Sequence, residues 1–470
     1  MAIATSASNA ALLEALPSSL PTADRRAVIP GGFLAAAGTA GIKPSGRPDL
    51  AIIATAPAGD GSGPKPAAAA AVFTPNAFAA APVRLSQEHL AATEPGGAGR
   101  YGWATAIIST SGCANAATGA AGDADQAEVA GFLALAVGTE PASTLLLSTG
   151  VIGTRLPLAI VAAGVAAVAP SLAPTDAGLA AAAEALRTTD TRVKAATVTL
   201  TLPDPDGLAV RSVRVTGIAK GVGMIHPRMA TMLSVVLTDA TVDPATLHGL
   251  LRPAAARTWD QLTVDGDTST NDTVFLLASG AAGAAPVRAG TRDAAALGAA
   301  IEAIARDLAR QQAADGEGAT TLVTCQVSGA TDDADARAVA RAVISSSLVK
   351  AAVHGRDPNW GRVAGAAGNA VGADEAVLVA AGMPPDAARA RSGAAATVDP
   401  ARLRIAIAGH LVFDGPAGGP VAFDRAAARA AMDAPELLIR LDLGLGGGAG
   451  EAFGCDLTQE YVIENSEYTT

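Results

Sequence analysis

One segment near the middle of the chain has the residue types that a self-cleaving nucleophile needs. Residues 217–240 place three glycines around Lys220 and continue through a proline-containing stretch to Ala230 and Thr231. The apolar run 232–237 that follows predicts a buried strand, and the glycines before it permit a strained backbone. The Thr231 hydroxyl could attack the Ala230 carbonyl, giving an ester that water hydrolyses. The freed Thr231 α-amine, with an ordinary pKa of about 8, could then serve as general base.

This pattern alone does not establish self-cleavage, because a threonine that begins a buried strand is usually structural. His226, five residues earlier, has two interpretations: an ordinary loop residue or a helper in maturation. The loop 265–271 begins with the spacing of a calcium loop. Thr270 replaces the glycine and Leu276 the glutamate that an EF-hand requires. We therefore interpret this segment as a turn-rich loop that lines the site.

The composition predicts a large enzyme rather than a nucleic-acid or membrane binder. The chain has 470 residues, half of them apolar, and a net charge of −11. Such a chain can bury a substantial core, and its acidity disfavours partners that are polyanions. The three cysteines, Cys113, Cys325 and Cys455, lie far apart without a CxxC pair. This spacing predicts small buried thiols rather than disulfides or a zinc site.

No segment has the features of a targeting or membrane-spanning element. The N-terminus lacks a basic stretch before its apolar residues, so we expect no signal peptide. The longest uncharged apolar stretch, 156–175, contains three prolines and predicts a helix followed by a loop. We therefore predict a cytoplasmic protein.

Strand and helix patterns alternate along the whole chain and predict an α/β fold. Strand-like alternation occurs at 212–216 and 403–408, and 437–443 is another candidate strand. Apolar residues at helical spacing occupy 297–308. Thr331 is a candidate cap for a helix that carries Val339 and Val343. Residues 55–83 are rich in Ala, Gly and Pro, so we expect part of them to form a surface excursion.

The segment around Thr231 resembles the self-cleavage site of the ornithine acetyltransferase family, the bifunctional glutamate N-acetyltransferases. Other segments resemble signatures of the same family in the same order. They are GIKPSGRPDLAII (41–53), VFTPNAFAAAPV (72–83), STGVIG (148–153), TTDT (188–191), TVDGDTSTNDTV (263–274), DGEGAT (315–320), SSSLVKAAVHGRDPNWGR (345–362) and GCDLTQEYVIENSEYTT (454–470). The resemblance therefore covers nearly the whole chain.

The resemblance implies a fold of two interlocked lobes with layered sheets and helices, of the N-terminal-nucleophile type. Cleavage between Ala230 and Thr231 would give chains 1–230 and 231–470 that assemble as α₂β₂. Thr231 would carry an acetyl group from N-acetylornithine to glutamate in arginine biosynthesis, without a metal or redox cofactor. Whether acetyl-CoA is a second donor stays open.

The resemblance also assigns the remaining site residues. Thr149 and Gly150 would form the oxyanion hole, where each donor is typically worth about 3–4 kcal/mol. The substrate-binding residues would be Thr191, Lys220, Thr231, Glu317, Asn465 and Thr470. Lys220 and Glu317 supply the opposite charges that an amino-acid substrate requires.

This chain departs from the family pattern near the scissile bond. Val222 stands where the family usually has serine, and Arg228 where it usually has asparagine. Both substitutions leave the nucleophile intact but bear on the cleavage rate. Extra residues near 55–70 and 366–400 have no assigned role.

Two alternative functions share parts of this pattern. An N-terminal-nucleophile amidohydrolase would use the same threonine but pass the acyl group to water. An uncleaved binding protein would keep the fold without catalysis. Intact mass separates the second alternative from an enzyme, and product analysis separates the first.

Overall fold

The computed structural model describes residues 12–16, 18–57, 59, 63–226 and 232–467, and combines three β-sheets with surrounding helices. Ala230, Thr231, Arg228 and Thr470 lie outside the described residues. The strands are β1 Phe33–Gly38, β2 Leu50–Thr55, β3 Ala67–Phe73, β4 Tyr101–Ala104, β5 Ala106–Cys113, β6 Thr144–Val151, β7 Lys194–Pro203, β8 Val210–Lys220, β9 Leu233–Thr238, β10 Thr273–Ala278, β11 Leu322–Ala330, β12 Arg404–Ile407, β13 His410–Asp414, β14 Gly419–Pro420, β15 Glu436–Asp442 and β16 Gly448–Cys455.

Helices are interspersed with these strands, as expected for an α/β protein. They are α1 Ala81–Thr93, α2 Gly119–Val137, α3 Leu158–Val168, α4 Asp176–Leu186, α5 Pro244–Arg257, α6 Arg292–Ala314, α7 Asp333–Ser345, α8 Ser347–His354, α9 Trp360–Gly368, α10 Glu375–Ala380, α11 Pro385–Arg391, α12 Arg425–Ala431 and α13 Gln459–Glu467.

The three sheets form successive parts of one layered structure. Their strand orders are β1-β2-β5-β6, β4-β3-β10-β9-β8-β7 and β14-β13-β12-β15-β11-β16. The first two sheets share a core with α1 and α4, in which Phe33, Leu90, Leu145, Val235 and Phe275 are buried. Helices α5 and α6 cover the other side of the second sheet. Helices α7, α8 and α9 pack on the third sheet.

The second sheet joins strands from both sides of the proposed cleavage point. Its β3, β4, β7 and β8 precede residue 230, whereas β9 and β10 follow it. Strand β9 pairs antiparallel with β8 and parallel with β10. Two chains produced by cleavage here would therefore share a continuous hydrogen-bonded sheet.

Most predicted elements are confirmed. The alternating segments lie in β8, β12 and β15, the apolar run after residue 231 forms the fully buried β9, and the amphipathic pattern lies in α6. The stretch 156–175 forms α3 followed by a short 3-10 turn and a loop. All three cysteines are free and buried.

One local prediction needs correction. The cap of α7 is Asp332, whose carboxylate accepts a hydrogen bond from the Asp335 N–H at 2.9 Å; Thr331 instead donates its hydroxyl to Asp335. Within the Ala-rich stretch 55–83, the alanines of β3 are fully buried and belong to the core. Small side chains there allow α5 to lie close against the sheet.

No helix within the described ranges is long and apolar enough to cross a membrane.

Candidate active site

A cavity of about 140 Å³ lies where β6, β8, the loop before β10 and the C-terminal helix meet. Larger cavities exist elsewhere, so the chemistry of its lining rather than its size identifies it. The lining residues are Ala114, Thr149, Gly150, Ile152, Thr188, Thr189, Lys220, Gly223, Met224, Asp265, Asp267, Ser269, Thr270, Asn271, Glu317, Tyr461 and Asn465. Five of the site residues predicted from the sequence are therefore brought together: Thr149, Gly150, Lys220, Glu317 and Asn465.

The carboxyl end of β6 supplies Thr149 and Gly150. Gly150 has φ = +130°, and a Cβ at this position would lie 2.3 Å from the Gly112 carbonyl carbon of β5. Only glycine fits such a close backbone approach. The Thr149 side chain is nearly buried, and its hydroxyl makes no hydrogen bond to any residue that the structure describes. This hydroxyl is therefore available to a ligand in the cavity.

Lys220 ends β8 beside a buried ion cluster. The fully buried Lys194 donates hydrogen bonds from Nζ to Asp190 at 2.6 Å and to Asp315 at 2.5 Å. Asp190 in turn accepts the Gly221 N–H at 2.8 Å. This cluster fixes the backbone that follows Lys220 to the loop before β7 and to the end of α6.

The charges of the cluster shift the pKa values around it. Burial alone would raise the pKa of Asp190, but Lys194 and then Lys220 outweigh it and hold that pKa at about 2. Burial lowers the pKa of Lys220 below the ordinary lysine value, although Asp190, Asp272 and Glu317 oppose this effect. Lys220 is therefore a cation that loses its proton more readily than a solvated lysine.

Glu317 follows the end of α6 and faces the same cavity. Its N–H donates to the Val222 carbonyl at 2.9 Å, which ties it to the segment after β8. Its Oε1 accepts the Thr189 hydroxyl at 2.9 Å, and its Oε2 accepts the Asn465 amide at 3.0 Å. A Cβ on Gly223 would lie 2.2 Å from this carboxylate, so a larger residue there would displace the Glu317 side chain.

The C-terminal helix α13 folds back over the site. A Cβ on Gly318 would lie 2.4 Å from the Tyr461 nitrogen, which shows how closely α13 approaches. The Thr458 hydroxyl donates to the Gly318 carbonyl at 2.8 Å. Asn465 thereby reaches the cavity although it lies only five residues before Thr470.

The segment after β8 is held by the loop that precedes β10. Asp265 accepts the N–H groups of Met224 at 2.5 Å and Ile225 at 2.8 Å. Met224 has φ = +52°, an uncommon conformation for a residue with a side chain. His226 shares a hydrogen bond between its Nδ1 and the Thr263 hydroxyl at 3.0 Å. The approach to the proposed scissile bond is therefore fixed by several side chains.

The first described residue after this bond also faces the site. Met232 lines a recess of about 20 Å³ together with Thr149, Lys220 and Asn271. Met232 lies beside Lys220, because Lys220 pairs with Leu233, the next residue, across β8 and β9. Thr231 is bonded directly to Met232.

Thr191 is the one described residue of the predicted set that does not line the cavity. It is exposed, its N–H donates to Asp315 at 3.1 Å, and its hydroxyl donates to the same carboxylate. Thr188 and Thr189 of the same TTDT segment line the cavity instead. The role of Thr191 in substrate binding stays a prediction.

Sequence analysis missed the groups that support these side chains. Asp190, Lys194, Asp315 and Asp265 were not singled out, although Asp190 lies in the TTDT segment and Asp265 in the loop 265–271. That loop lines the cavity, as predicted. Asn271 connects it to the first sheet, donating to the carbonyls of Ala114 at 2.7 Å and Ser148 at 2.8 Å.

Comparisons with known proteins identify the family of this chain. Residues 34–470 match the ArgJ family. The arginine biosynthesis bifunctional protein ArgJ of Thermus thermophilus is 40% identical over 442 residues, covering 94% of this chain and 99% of that protein. The protein of the same name from Synechocystis is 42% identical over 450 residues, covering 94% and 97%.

Among solved structures, the ArgJ chain of Bacillus halodurans is 37% identical and covers 51% of this chain and 100% of its own, with a TM-score of 0.44. The ornithine acetyltransferase of Mycobacterium tuberculosis, solved with ornithine, is 36% identical and covers 44% and 96%, with a TM-score of 0.36. The family match and the curated relatives span nearly the whole sequence. This chain therefore belongs to the ArgJ family of arginine-biosynthetic acetyltransferases, which confirms the resemblance found in its sequence.

Proposed function

We propose that this protein transfers the acetyl group of N-acetylornithine to glutamate through an acetyl ester on Thr231. The observation that carries the proposal is the convergence of Thr149, Lys220 and Glu317 on one cavity whose recess is lined by Met232, the residue bonded to Thr231. A nucleophile, an oxyanion-binding hydroxyl and two opposite charges are the parts that acyl transfer between amino acids requires.

Maturation comes first in this proposal. The Thr231 hydroxyl attacks the Ala230 carbonyl, the peptide C–N bond breaks as its nitrogen takes a proton, and water hydrolyses the resulting ester. The products are residues 1–230, with a new carboxylate, and residues 231–470, with a free α-amine on Thr231. The hydrogen bonds that Asp265 accepts from the Met224 and Ile225 N–H groups hold the segment upstream of the scissile bond in place.

Acetyl transfer then proceeds in two balanced steps. The Thr231 oxygen attacks the acetyl carbonyl, and its proton moves to the Thr231 α-amine. Thr149 and Gly150 bind the tetrahedral oxyanion. The C–N bond breaks, the proton passes to the leaving amine, and ornithine departs. The glutamate α-amine attacks the acetyl ester in the reverse sequence, which releases N-acetylglutamate and restores the Thr231 hydroxyl.

The charges in the cavity favour an amino acid over water as the acetyl acceptor. Lys220 offers an ammonium group to a substrate carboxylate. Glu317, oriented by Thr189 and Asn465, offers a carboxylate to a substrate ammonium. An amidohydrolase would need neither group for a water acceptor. We further propose an α₂β₂ assembly and a cytoplasmic location. Whether acetyl-CoA is a second donor is tested by measuring N-acetylglutamate formation from acetyl-CoA and glutamate.

The acetyl-enzyme is the intermediate that tests this function. Incubation with N-acetylornithine alone, followed by acid quench and mass spectrometry, is expected to add one acetyl group to the fragment 231–470. Glutamate should remove this group and give N-acetylglutamate, because the first product leaves before the acceptor reacts. Acetate and N-acetylglutamate are quantified separately. Equal turnover with and without glutamate would instead identify an amidohydrolase.

The lowered pKa of Lys220 predicts a pH effect on substrate binding. Lys220 is charged below its own pKa, so its attraction for a carboxylate is lost as the pH rises through that value. The KM for glutamate is expected to rise about 10-fold or more in the alkaline range, beginning below the ordinary lysine pKa of 10.5.

A Lys220→Arg variant, which stays charged, is the control and should lack this limb. Titration of the glutamate α-amine affects both enzymes equally and cancels in the comparison. Identical alkaline limbs in the two enzymes would contradict the assignment of Lys220 to the substrate carboxylate.

A further inference from the structure

A second cavity, of about 350 Å³, lies between α7 and the segment 371–393. None of the residues that form the active-site cavity lines it. Its size falls within the range of about 300–1,000 Å³ that is typical of small-molecule sites. Its lining residues are His226, Gln261, Ala334, Arg337, Ala338, Arg341, Ala342, Ser345, Val371, Gly372, Ala373, Asp374, Val377, Leu378, Ala381, Ser392 and Gly393.

One face of α7 gives this cavity its chemical character. Arg337 and Arg341 are spaced four residues apart, and Ser345 follows after four more, so all three lie on the same side of the helix. Alanines occupy the positions between them on this face. The small side chains leave space beside two guanidinium groups.

Arg337 lacks an anionic partner in the described part of the chain. No carboxylate there lies within salt-bridge distance of its guanidinium, and it makes no hydrogen bond to a described residue. It is partly buried. Burial lowers its pKa, although Asp333, Asp332 and Glu302 act against this from farther away. A partly desolvated cation without a paired anion is a costly arrangement that an incoming anion would relieve.

The other polar groups of the lining do not neutralise Arg337. Asp374 is the one carboxylate of the lining, and it accepts the Val377 N–H at 3.0 Å as the cap of α10. Gln261 Oε1 and Ser345 Oγ are buried and make no hydrogen bond to a described residue. Buried polar oxygens of this kind are normally satisfied.

We propose that this cavity binds a small organic anion, whose carboxylate or phosphate group is held by Arg337 and Arg341. Guanidinium groups bind such planar or tetrahedral oxyanions through paired charged hydrogen bonds. The wall formed by 371–393 lies within the stretch 366–400 for which the sequence assigned no role. Anion binding would give this stretch a function, and that binding would not depend on the acetyl-transfer reaction.

The test uses the purified protein with all 470 residues, cleaved or intact as it is produced, and two probes, inorganic phosphate and succinate. Calorimetric titration and thermal unfolding are measured at constant ionic strength in chloride. Wild type is expected to bind at least one probe with a rise in Tm. Arg337→Gln should weaken that binding about 10- to 100-fold, as expected for the loss of a charged hydrogen bond.

Arg389→Gln is the matched control. Arg389 is exposed on α11 and does not line the cavity. Its replacement removes the same charge as Arg337→Gln, so the Arg389→Gln protein should bind the probe with wild-type affinity. A second variant, Ala338→Glu, places a carboxylate in the cavity and should also abolish binding, which keeps the test decisive if Arg337→Gln folds poorly. Lys220→Ala separates this site from the active site and should leave binding intact.

The preferred probe identifies the class of anion. The proposal is overturned if wild type binds neither probe, or if Arg337→Gln and Arg389→Gln bind with equal affinity. It is also overturned if Lys220→Ala, rather than the α7 variants, loses binding.

Discussion

A Thr231→Ala protein is expected to remain a single chain and to lose acetyl transfer by a factor of about 10⁴ or more, as when the nucleophile of a covalent mechanism is removed. Wild type should separate under denaturing conditions into fragments 1–230 and 231–470. The variant lacks the hydroxyl that attacks both the Ala230 carbonyl and the acetyl group. Intact-mass spectrometry measures the first effect, and N-acetylglutamate formation the second.

Thr231→Ser is the control for this experiment. Serine keeps the hydroxyl, so the variant should still be cleaved, at a changed rate. A wild-type protein that stays full-length after prolonged incubation would contradict self-cleavage. Val222→Ser and Arg228→Asn, which restore the usual family residues, would then test whether these two departures block maturation.

Replacing Lys194 by methionine is expected to cause the largest loss of stability near the site. Lys194 is the shared cation between Asp190 and Asp315 and is fully buried. Its removal leaves two buried carboxylates without their partner, and breaking a buried ion pair in this way typically costs about 3–5 kcal/mol. Urea unfolding in the Thr231→Ala background measures this loss on a single chain.

The exposed pair between Arg25 and Asp307, 3.0 Å apart, supplies the comparison. An exposed ion pair is worth about 0–1 kcal/mol, so Arg25→Ala should change the unfolding free energy little. If Lys194→Met is no more destabilising than Arg25→Ala, the cluster does not hold the site together.

The lowered pKa of Asp190 makes the free energy of unfolding depend on pH in the acid range. A carboxyl group whose folded pKa is depressed stabilises the protein above its unfolded pKa, and this contribution is lost as the pH falls through the folded value. Wild type should therefore lose this stabilisation between about pH 4 and pH 2. The Lys194→Met variant should lose less stability over this pH range than wild type, because only Lys220 and the Gly221 N–H then lower the pKa of Asp190.

Local sequence determined the elements and predicted the nucleophile. Hydrophobic periodicity predicted β8, β12 and α6, because an element that buries one face repeats apolar residues with the period of its geometry. A continuous apolar run predicted β9, which is buried at every residue. The glycines around Lys220 indicated a constrained backbone, and Gly221 does have a positive φ of 131°. Family membership followed from ordered motifs and is confirmed.

Residue type and adjacency misassigned the cap of α7, and they left open which threonine of the TTDT segment lines the cavity. Thr331 was a plausible cap by residue type, but Asp332 takes that position because its carboxylate reaches the Asp335 N–H. In the TTDT segment, Thr188 and Thr189 line the cavity and Thr191 does not. The backbone conformation decides which hydroxyl of a short polar run faces a site. The sequence pattern does not specify that conformation.

Only the tertiary structure decided which side chains support the site. Lys194 meets Asp315 across 121 residues, and Asn465 meets Glu317 across 148. Asn271 reaches Ser148 across 123 residues. No local pattern encodes such pairs, because each depends on how separate sheets and helices pack. The sequence by itself thus determined the family and the strands and predicted the nucleophile, while the packing of the sheets decided the ion cluster, the closure by α13 and the cavity beside α7.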